Sequence, residues 1–314
     1  MNNPNSLLKI FENFGRVYCH HHLKKWREKS PNENSWEALD FFFQHTFPRG
    51  RSDSLSKKYY CFTISILEEN LKDEKDKIID IKKFHEFKFD ELWNQVKGTI
   101  QRKFSVEQFN DWTKENIINQ QQKALLNSLL TKDDNNRFIL GNIEDIYMVI
   151  NTLSFIEEEI EDLNIYKHLD NIMSEKGIGE AFGKLKQIRG IGDKLASLVI
   201  RDILLISENK NISKEECKYI VPIDTWTEKL LRKIYKYDKN KKELKNILCE
   251  RLNEIYEIPL VAAGIWFLSI NSFDILIELL LNCSNFTNLF NNDNIYKILE
   301  DMPIDSARNW DVCN

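Results

Sequence analysis

A glycine turn between two apolar helical patterns constrains this chain more than any other feature. Residues 185–204 read LKQIRGIGDKLASLVIRDIL, with Gly190, Ile191 and Gly192 at the turn. Apolar residues recur at helical spacing before the turn (Leu185, Ile188, Ile191) and after it (Leu195, Leu198, Val199, Ile203). Glycine allows backbone angles that a Cβ atom would forbid. The segment therefore predicts a helix, a tight turn and a second helix.

The start of that second helix is a candidate phosphate site. A helix begins with unpaired N–H groups and the positive end of its dipole, and both attract anions. From residue 184 to residue 201 there are five cations and one anion, a balance of +4; the cations are Lys184, Lys186, Arg189, Lys194 and Arg201. A turn between two core helices, with no ligand, is the plainer alternative.

Two residues near the turn are candidates for chemistry. Lys194 follows the second glycine by two places, a position that in purely structural hairpins meets phosphate or solvent. Asp224 lies in the segment VPIDT at 221–225, where Pro222 favours an extended backbone at the preceding residue. The apolar run Leu230, Leu231 and Ile234 follows, so Asp224 occupies an N-cap position. Capping alone would also explain this aspartate.

Together, the hairpin, Lys194 and the Val-Pro-Ile-Asp-Thr segment resemble the helix-hairpin-helix DNA glycosylase superfamily, which includes endonuclease III and 8-oxoguanine DNA glycosylase. The motifs lie in residues 185–233, and a looser similarity in helix order extends over 34–285. The resemblance implies an all-α fold of two helical lobes with the motif at the cleft between them. A helical barrel lobe would span 34–221, with the motif at about 185–204, and residues 1–33 plus 222–314 would form the second lobe.

The same resemblance implies a bifunctional DNA glycosylase and apurinic/apyrimidinic (AP) lyase. Lys194 matches the Schiff-base lysine of the bifunctional members, and Asp224 matches the aspartate of the family. The target nucleotide must be flipped out of the duplex before Lys194 attacks C1′ and displaces the base. Asp224 would stabilise positive charge on the sugar or help to deprotonate the amine. The expected partner is double-stranded DNA that contains a modified base or an abasic site.

Other residues take roles through the same resemblance. The hairpin residues Arg189, Gly190, Ile191 and Gly192 would hold phosphates without reading sequence. Gln44 matches a glutamine that fills the gap left by the flipped base, and Arg49 and Arg51 are expected to contact phosphate. A surface loop is the alternative for these three residues.

Aromatic residues supply a candidate base pocket, because flipped bases stack on aromatic rings. The candidates are Trp226, Trp266 and Phe267. A role in the core is the alternative, since residues 258–270 are the most apolar stretch of the chain. Trp226 also occupies a position, two places after the aspartate, where the family often carries a histidine.

The spacing between Lys194 and Asp224 is longer than in endonuclease III and resembles the archaeal-type 8-oxoguanine branch. We therefore expect 8-oxoguanine as the substrate, with an oxidised pyrimidine or another modified base as the alternative. Four clustered cysteines, which hold an iron–sulfur cluster in endonuclease III, do not occur here, so we expect no cofactor and no metal. The alternative of a different class is a non-catalytic helix-hairpin-helix module that binds DNA.

Composition limits the remaining choices. The 314 residues include only 6 Pro and 10 Gly and are 42% hydrophobic, which favours a nearly all-helical protein. The net charge of −5 argues against bulk attraction to DNA, so a DNA surface must be a local basic face. The six cysteines form no CxxC pair, and neither a membrane span nor a secretory signal is predicted. We expect a reduced, cytoplasmic monomer.

The helical pattern outside the motif predicts further helices. A capping pair, Asn34 and Glu37, precedes one of them, and three adjacent histidines (20–22) are expected on a solvated helix surface. The predicted ranges are 7–28, 36–45, 53–71, 89–98, 105–130, 143–161, 242–256, 258–270, 273–281 and 294–300.

Overall fold

The structure is a computed structural model that describes residues 4–49, 53–72, 120–131, 139–140, 143–207, 212–235, 240–252, 257–271 and 293–301. In these ranges the regular elements are helices, which confirms the all-α prediction for the described part of the chain. The helices are α1 Pro4–Tyr18, a π-helix Cys19–Leu23, α2 Lys24–Lys29, α3 Ser35–Thr46, α4 Asp53–Leu71, α5 Gln120–Leu129, α6 Ile143–Glu159, α7 Ile165–Lys176, α8 Ile178–Leu185, α9 Asp193–Ile206, a 3-10 turn Lys214–Glu216, α10 Cys217–Ile220, α11 Thr225–Tyr235, α12 Lys241–Arg251, α13 Ile258–Asn271 and α14 Asp293–Asp301.

Contacts within the chain divide it into two compact units. Unit 1 comprises residues 1–31, 166–187 and 191–312, and unit 2 comprises 32–165, 188–190 and 313–314. Both predicted catalytic residues, Lys194 and Asp224, fall in unit 1, whereas the predicted lobes 34–221 and 1–33 with 222–314 separate them. The arrangement of two lobes around a motif at their cleft stays a prediction.

The core of unit 1 is built on the pairing of α1 with α13. Two glycines allow the backbones of these helices to touch. A Cβ atom at Gly264 would lie 1.7 Å from the carbonyl oxygen of Phe11, and one at Gly15 would lie 2.1 Å from that of Leu260. Larger residues at either glycine would therefore force the helices apart, which makes this crossing a tight constraint on the position of α13.

The N-terminal helix, predicted as one segment over 7–28, is interrupted. The chain forms α1, then the π-helix at Cys19–Leu23, and then α2. The extra residue of a π-turn changes which side chains face inward. The predicted solvated surface holds in part: His20 is exposed, whereas His21 and His22 are half-buried. The ring of His21 stacks on Phe267 at 6.4 Å between centroids, and that of His22 stacks on Tyr18 at 4.9 Å.

Unit 2 is built from α3, α4, α5 and α6, together with residues 188–190. The predicted cap of α3 is confirmed, because the side chain of Asn34 accepts from the N–H groups of Trp36 and Glu37 at 2.8 and 3.2 Å. The rings of Phe41, Phe42 and Phe43 are buried. The predicted helices at 89–98 and 273–281 lie outside the described residues, as does the predicted stretch 105–119.

Cysteines of the described helices depart from the expected reduced state. Cys217 of α10 and Cys249 of α12 form a disulfide with 5.7 Å between their Cα atoms. They are 32 residues apart in the chain, so the absence of a CxxC motif could not reveal the pair. Within the described helices, none combines the length and the apolarity needed to cross a bilayer. Cytoplasmic location stays a prediction.

Candidate functional site

The predicted helix, turn and helix are present as α8, residues 186–192 and α9. The apolar residues predicted to face inward are buried on both sides of the turn; they are Leu185, Ile188, Ile191, Leu195, Leu198, Val199 and Ile203. Helices α8 and α9 contact each other in unit 1. The local pattern of the motif is therefore confirmed, while its role stays a prediction.

The two glycines of the turn have different structural roles. Gly190 has φ +93°, and a Cβ atom there would lie 2.7 Å from Nη2 of Arg49 and 3.1 Å from Cβ of Met148. Gly192 has φ −92°, which any residue can adopt, and a Cβ atom there would meet no described atom within 4 Å outside its own chain neighbours. The fold therefore requires glycine at 190, whereas the space beside Gly192 is open.

Helix α9 begins at this open position. Gly192 is its N-cap residue and has no side chain that could satisfy the first N–H groups. Asp193, in the first turn, forms an ion pair with Lys186. The side chain of Lys194, also in the first turn, is partly exposed. An uncapped helix start beside open space is the geometry that a phosphate group requires.

Arg49 supports the turn from within unit 2. Its Nη2 donates to the carbonyl oxygen of Gly190 at 3.0 Å, and its Nε forms an ion pair at 3.2 Å with the fully buried Asp145. These contacts hold the carbonyl side of the turn. Contact between Arg49 and DNA phosphate stays a prediction, and Arg51 lies outside the described residues.

The net positive charge that the motif can present to a ligand is smaller than the +4 counted in the sequence. Arg201 is fully buried and paired with its neighbour Asp202 at 2.7 Å, so it cannot reach DNA. Nη2 of Arg189 lies 3.3 Å from the carboxylate of Glu144, and its guanidinium lies over the ring of Tyr147 at 3.4 Å. With Lys186 paired to Asp193, at least three of the five cations have carboxylate partners.

Asp224 is held at the head of α11 by both of its carboxylate oxygens. One oxygen accepts from the N–H of Thr227 at 2.8 Å, which is the predicted cap. The other accepts from Nε1 of Trp266 at 3.1 Å. Trp266 is partly exposed in α13, a helix that contacts both α9 and α11. Of the predicted site residues, the structure thus brings Asp224 and Trp266 into direct contact.

A buried polar cluster lies behind Trp266. The guanidinium of Arg201 lies 5.6 Å from the centre of the Trp266 ring and 4.8 Å from that of Tyr18. The hydroxyl of Tyr18 donates to Asp202 at 2.6 Å and accepts from Arg201 at 2.9 Å. The cluster ties α1, α9 and α13 together, so it fixes the indole that binds Asp224.

Burial and charge both act on this cluster. Burial, and then the negative charge of Asp202, raise the pKa of Tyr18 well above its ordinary value, so the phenol stays protonated. Burial opposes the charge of Arg201, but Asp202 and Tyr18 outweigh it and raise the pKa of the guanidinium. The ion pair and the hydroxyl of Tyr18 offset part of the cost of burying these charges, while the buried Nη1 of Arg201 has no hydrogen-bond partner among the described residues.

The remaining predicted site residues are dispersed. Phe267 is buried, with its ring among Phe14, Tyr18 and the histidines of the π-helix, so it contributes to the core. Gln44 is partly exposed in α3 of unit 2. The backbone of Trp226 lies in α11, and its side chain is outside the described part of the structure. A pocket lined by Trp226 stays a prediction.

Sequence reasoning missed Lys245. Its amine, in α12, lies 3.5 Å from Oγ of Ser197 in α9. Burial lowers the pKa of Lys245 to about 8, although the negative charge of Asp193 acts in the opposite direction. In the sequence, this lysine sits among others at 241–245, and only packing distinguishes it from its neighbours.

No family model matches this chain, and no curated protein or solved structure matches it either. Among the described residues, no group of three or more His, Cys, Asp or Glu side chains is placed to hold a metal ion.

Proposed function

We propose that this protein is a bifunctional DNA glycosylase and AP lyase, in which Lys194 forms the Schiff base and Asp224 assists. The observation that carries the proposal is the environment of these two residues in unit 1. A glycine-opened helix start bears Lys194 in its first turn, and Asp224 is fixed by Thr227 and Trp266 at the head of α11.

The open start of α9 supports binding of the DNA backbone. Backbone N–H groups and the helix dipole favour a phosphate there, and they read no base. The net charge of −5 and the partnered cations mean that this attraction must be local. We therefore expect affinity for undamaged duplex to be modest and to fall steeply as salt rises.

The position of Asp224 supports a role in stabilising charge. Two hydrogen bonds fix its carboxylate, and charge stabilisation is most effective when the group is held in place before the reaction begins. A carboxylate oxygen can accept more than one hydrogen bond, so these contacts leave acceptor capacity for a substrate. The partly exposed indole of Trp266 would stack beside the flipped base.

The substrate we propose first is 8-oxoguanine, from the long spacing between the two catalytic residues, with an oxidised pyrimidine or another modified base as the alternative. One observation favours a second function. Both oxygens of Asp224 already have partners that fully explain it as a structural cap. A non-catalytic module that binds DNA through the hairpin is therefore the second candidate.

Borohydride trapping on defined duplexes tests the proposal. Wild type, Lys194→Gln and Asp224→Asn are incubated with duplexes that carry an abasic site, 8-oxoguanine, uracil or an oxidised pyrimidine. The glycosylase predicts a reduced covalent adduct that Lys194→Gln abolishes. Asn is itself a good N-cap and can still accept from Thr227, but its amide nitrogen cannot accept from Trp266. Asp224→Asn should therefore fold with lower stability while base release slows.

Lys242→Gln provides the matched control, because Lys242 is exposed on α12 and outside the proposed site. It should trap DNA as well as wild type does. Binding to DNA without an adduct on any duplex, and without base release, would instead support the binding module.

A further inference from the structure

Lys245 is placed against the helix that carries Lys194. Its Nζ lies 3.5 Å from Oγ of Ser197, and Ser197 is fully buried one turn into α9. Helix α12 also contacts α10 and α11, and the disulfide from Cys217 to Cys249 joins α12 to α10. The position of Lys245 is thus fixed by its own helix rather than by a loop.

Helix geometry places this amine beside the first turn of α9. With 3.6 residues per turn, Ser197 lies about 40° around the axis from Asp193 and about 60° from Lys194. Residues three and four apart are neighbours on a helix surface. The amine of Lys245, which contacts Ser197, therefore lies at the face of α9 that carries Asp193 and Lys194. The effect of Asp193 on the pKa of Lys245 agrees with this placement.

The surroundings of Lys245 leave it a usable proton acceptor. Burial disfavours its charged form and lowers its pKa to about 8, so a substantial fraction is neutral slightly above neutral pH. Asp193 is the charged group that acts on it. Two other carboxylates on the elements packed against α12 have partners of their own: Glu228 pairs with Arg232 and Lys241, and Glu216 accepts from the N–H groups of Ile178 and Ser213.

We propose that Lys245 is the proton carrier of the lyase site and serves the amine of Lys194. The inference rests on the proposed function. The amines of Lys194 and Lys245 lie at the same face of the start of α9. This placement suits a reaction in which the nitrogen of Lys194 forms a bond to carbon and must then lose a proton. Asp224 is held by two hydrogen bonds on another helix and is better suited to stabilising charge.

In the first step, the neutral amine of Lys194 attacks C1′ and the N–C1′ bond forms. The glycosidic bond breaks with its electron pair leaving on the base, which takes a proton from water and leaves hydroxide. The nitrogen of Lys194 then carries an extra proton, which passes to the neutral amine of Lys245. The C1′–O4′ bond breaks, O4′ takes the proton back from Lys245, and a protonated imine remains on Lys194.

Single-turnover borohydride trapping on an abasic duplex tests this role. Lys245→Arg keeps the positive charge and the length of the side chain, but a guanidinium does not give up its proton in this pH range. Lys245→Met keeps the apolar stem and removes the proton carrier. Lys242→Arg, on the exposed face of the same helix, is the control for α12. Thermal unfolding and abasic-DNA affinity are measured for each.

We expect both Lys245 variants to form the adduct about 100-fold more slowly than wild type, the scale of a lost general acid–base group. Lys245→Arg should retain wild-type affinity and lose the limb of the pH–rate profile that reflects a pKa of about 8. Lys242→Arg should behave as wild type.

Two results would overturn the inference, and they are distinct. If wild type forms an adduct that Lys194→Gln abolishes, yet Lys245→Arg traps at the wild-type rate with the same pH profile, Lys245 is not the proton carrier and the proposed function stands. If wild type forms no adduct on any duplex, the lyase function fails and the role of Lys245 fails with it.

Discussion

The two glycines of the hairpin allow a sharp test, because the structure assigns them opposite requirements. Gly190→Ala places a methyl group at φ +93°, 2.7 Å from Nη2 of Arg49 and 3.1 Å from Cβ of Met148. The positive φ costs about 1–2 kcal/mol for an L-residue. Relief of the overlap costs about 1–3 kcal/mol more, because Arg49 must move although it is held by its ion pair with the buried Asp145.

We therefore expect Gly190→Ala to lower the free energy of unfolding by about 2–5 kcal/mol, the sum of these two costs. Gly192→Ala places its methyl group in open space at φ −92°. Its free energy of unfolding should stay within about 1 kcal/mol of wild type, because the freedom lost by the unfolded chain offsets the poorer N-cap that alanine makes. Urea unfolding followed by far-ultraviolet circular dichroism measures both variants against wild type.

The same two variants separate an effect on stability from an effect on DNA binding. The methyl group of Gly192→Ala lies at the start of α9, where the proposed phosphate would approach the bare N–H groups. Loss of one such contact, about 1.4 kcal/mol, predicts about tenfold weaker binding to an abasic duplex in a variant of normal stability. If Gly190→Ala unfolds at the same urea concentration as wild type, or if Gly192→Ala is the less stable of the two, the account of the turn is wrong.

Three further outcomes are expected. Trp266→Phe keeps a ring but removes the N–H that donates to Asp224, so the free energy of unfolding should fall by about 1–3 kcal/mol and adduct formation should slow. Unchanged trapping would show that the indole does not position the carboxylate. Gly264→Ala overlaps the facing helix backbone and should lower the thermal midpoint markedly or prevent folding, and a variant as stable as wild type would contradict the close crossing. The disulfide between Cys217 and Cys249 predicts that neither sulfur is alkylated in denaturant without reductant, as peptide mass mapping would show. Its removal should lower the free energy of unfolding by about 3–4 kcal/mol for a loop of this length.

Local structure in this chain was predictable where the determining interactions are themselves local. The cap at Asn34 depends on N–H groups two and three residues away, and that at Asp224 depends on one three residues away. The buried faces of α8 and α9 follow from helical spacing. The π-helix at Cys19–Leu23 was not predicted, because the ring contacts that accompany it join His21 and His22 to Phe267, a residue far away in the chain.

Charge was the least predictable property of the candidate site. The sequence count treated Arg201 as part of a basic surface, yet the fold buries it against Asp202 and Tyr18. Conversely, Lys245 belongs to a lysine-rich stretch that gives no sign of its lowered pKa. Burial of Arg201 beside Tyr18 and of Lys245 beside Ser197 comes from helices far away in the chain.

The sequence was enough to predict a helical chain, a hairpin with glycines at its turn, and an aspartate that begins a helix. Each of these depends on hydrogen bonds and periodicity within a few residues. Three contacts could be found only in the folded protein: the crossing at Gly15 and Gly264, the contact of Trp266 with Asp224, and the packing of Lys245 against Ser197. These depend on which helices pack together, and packing brings together residues that no local pattern connects.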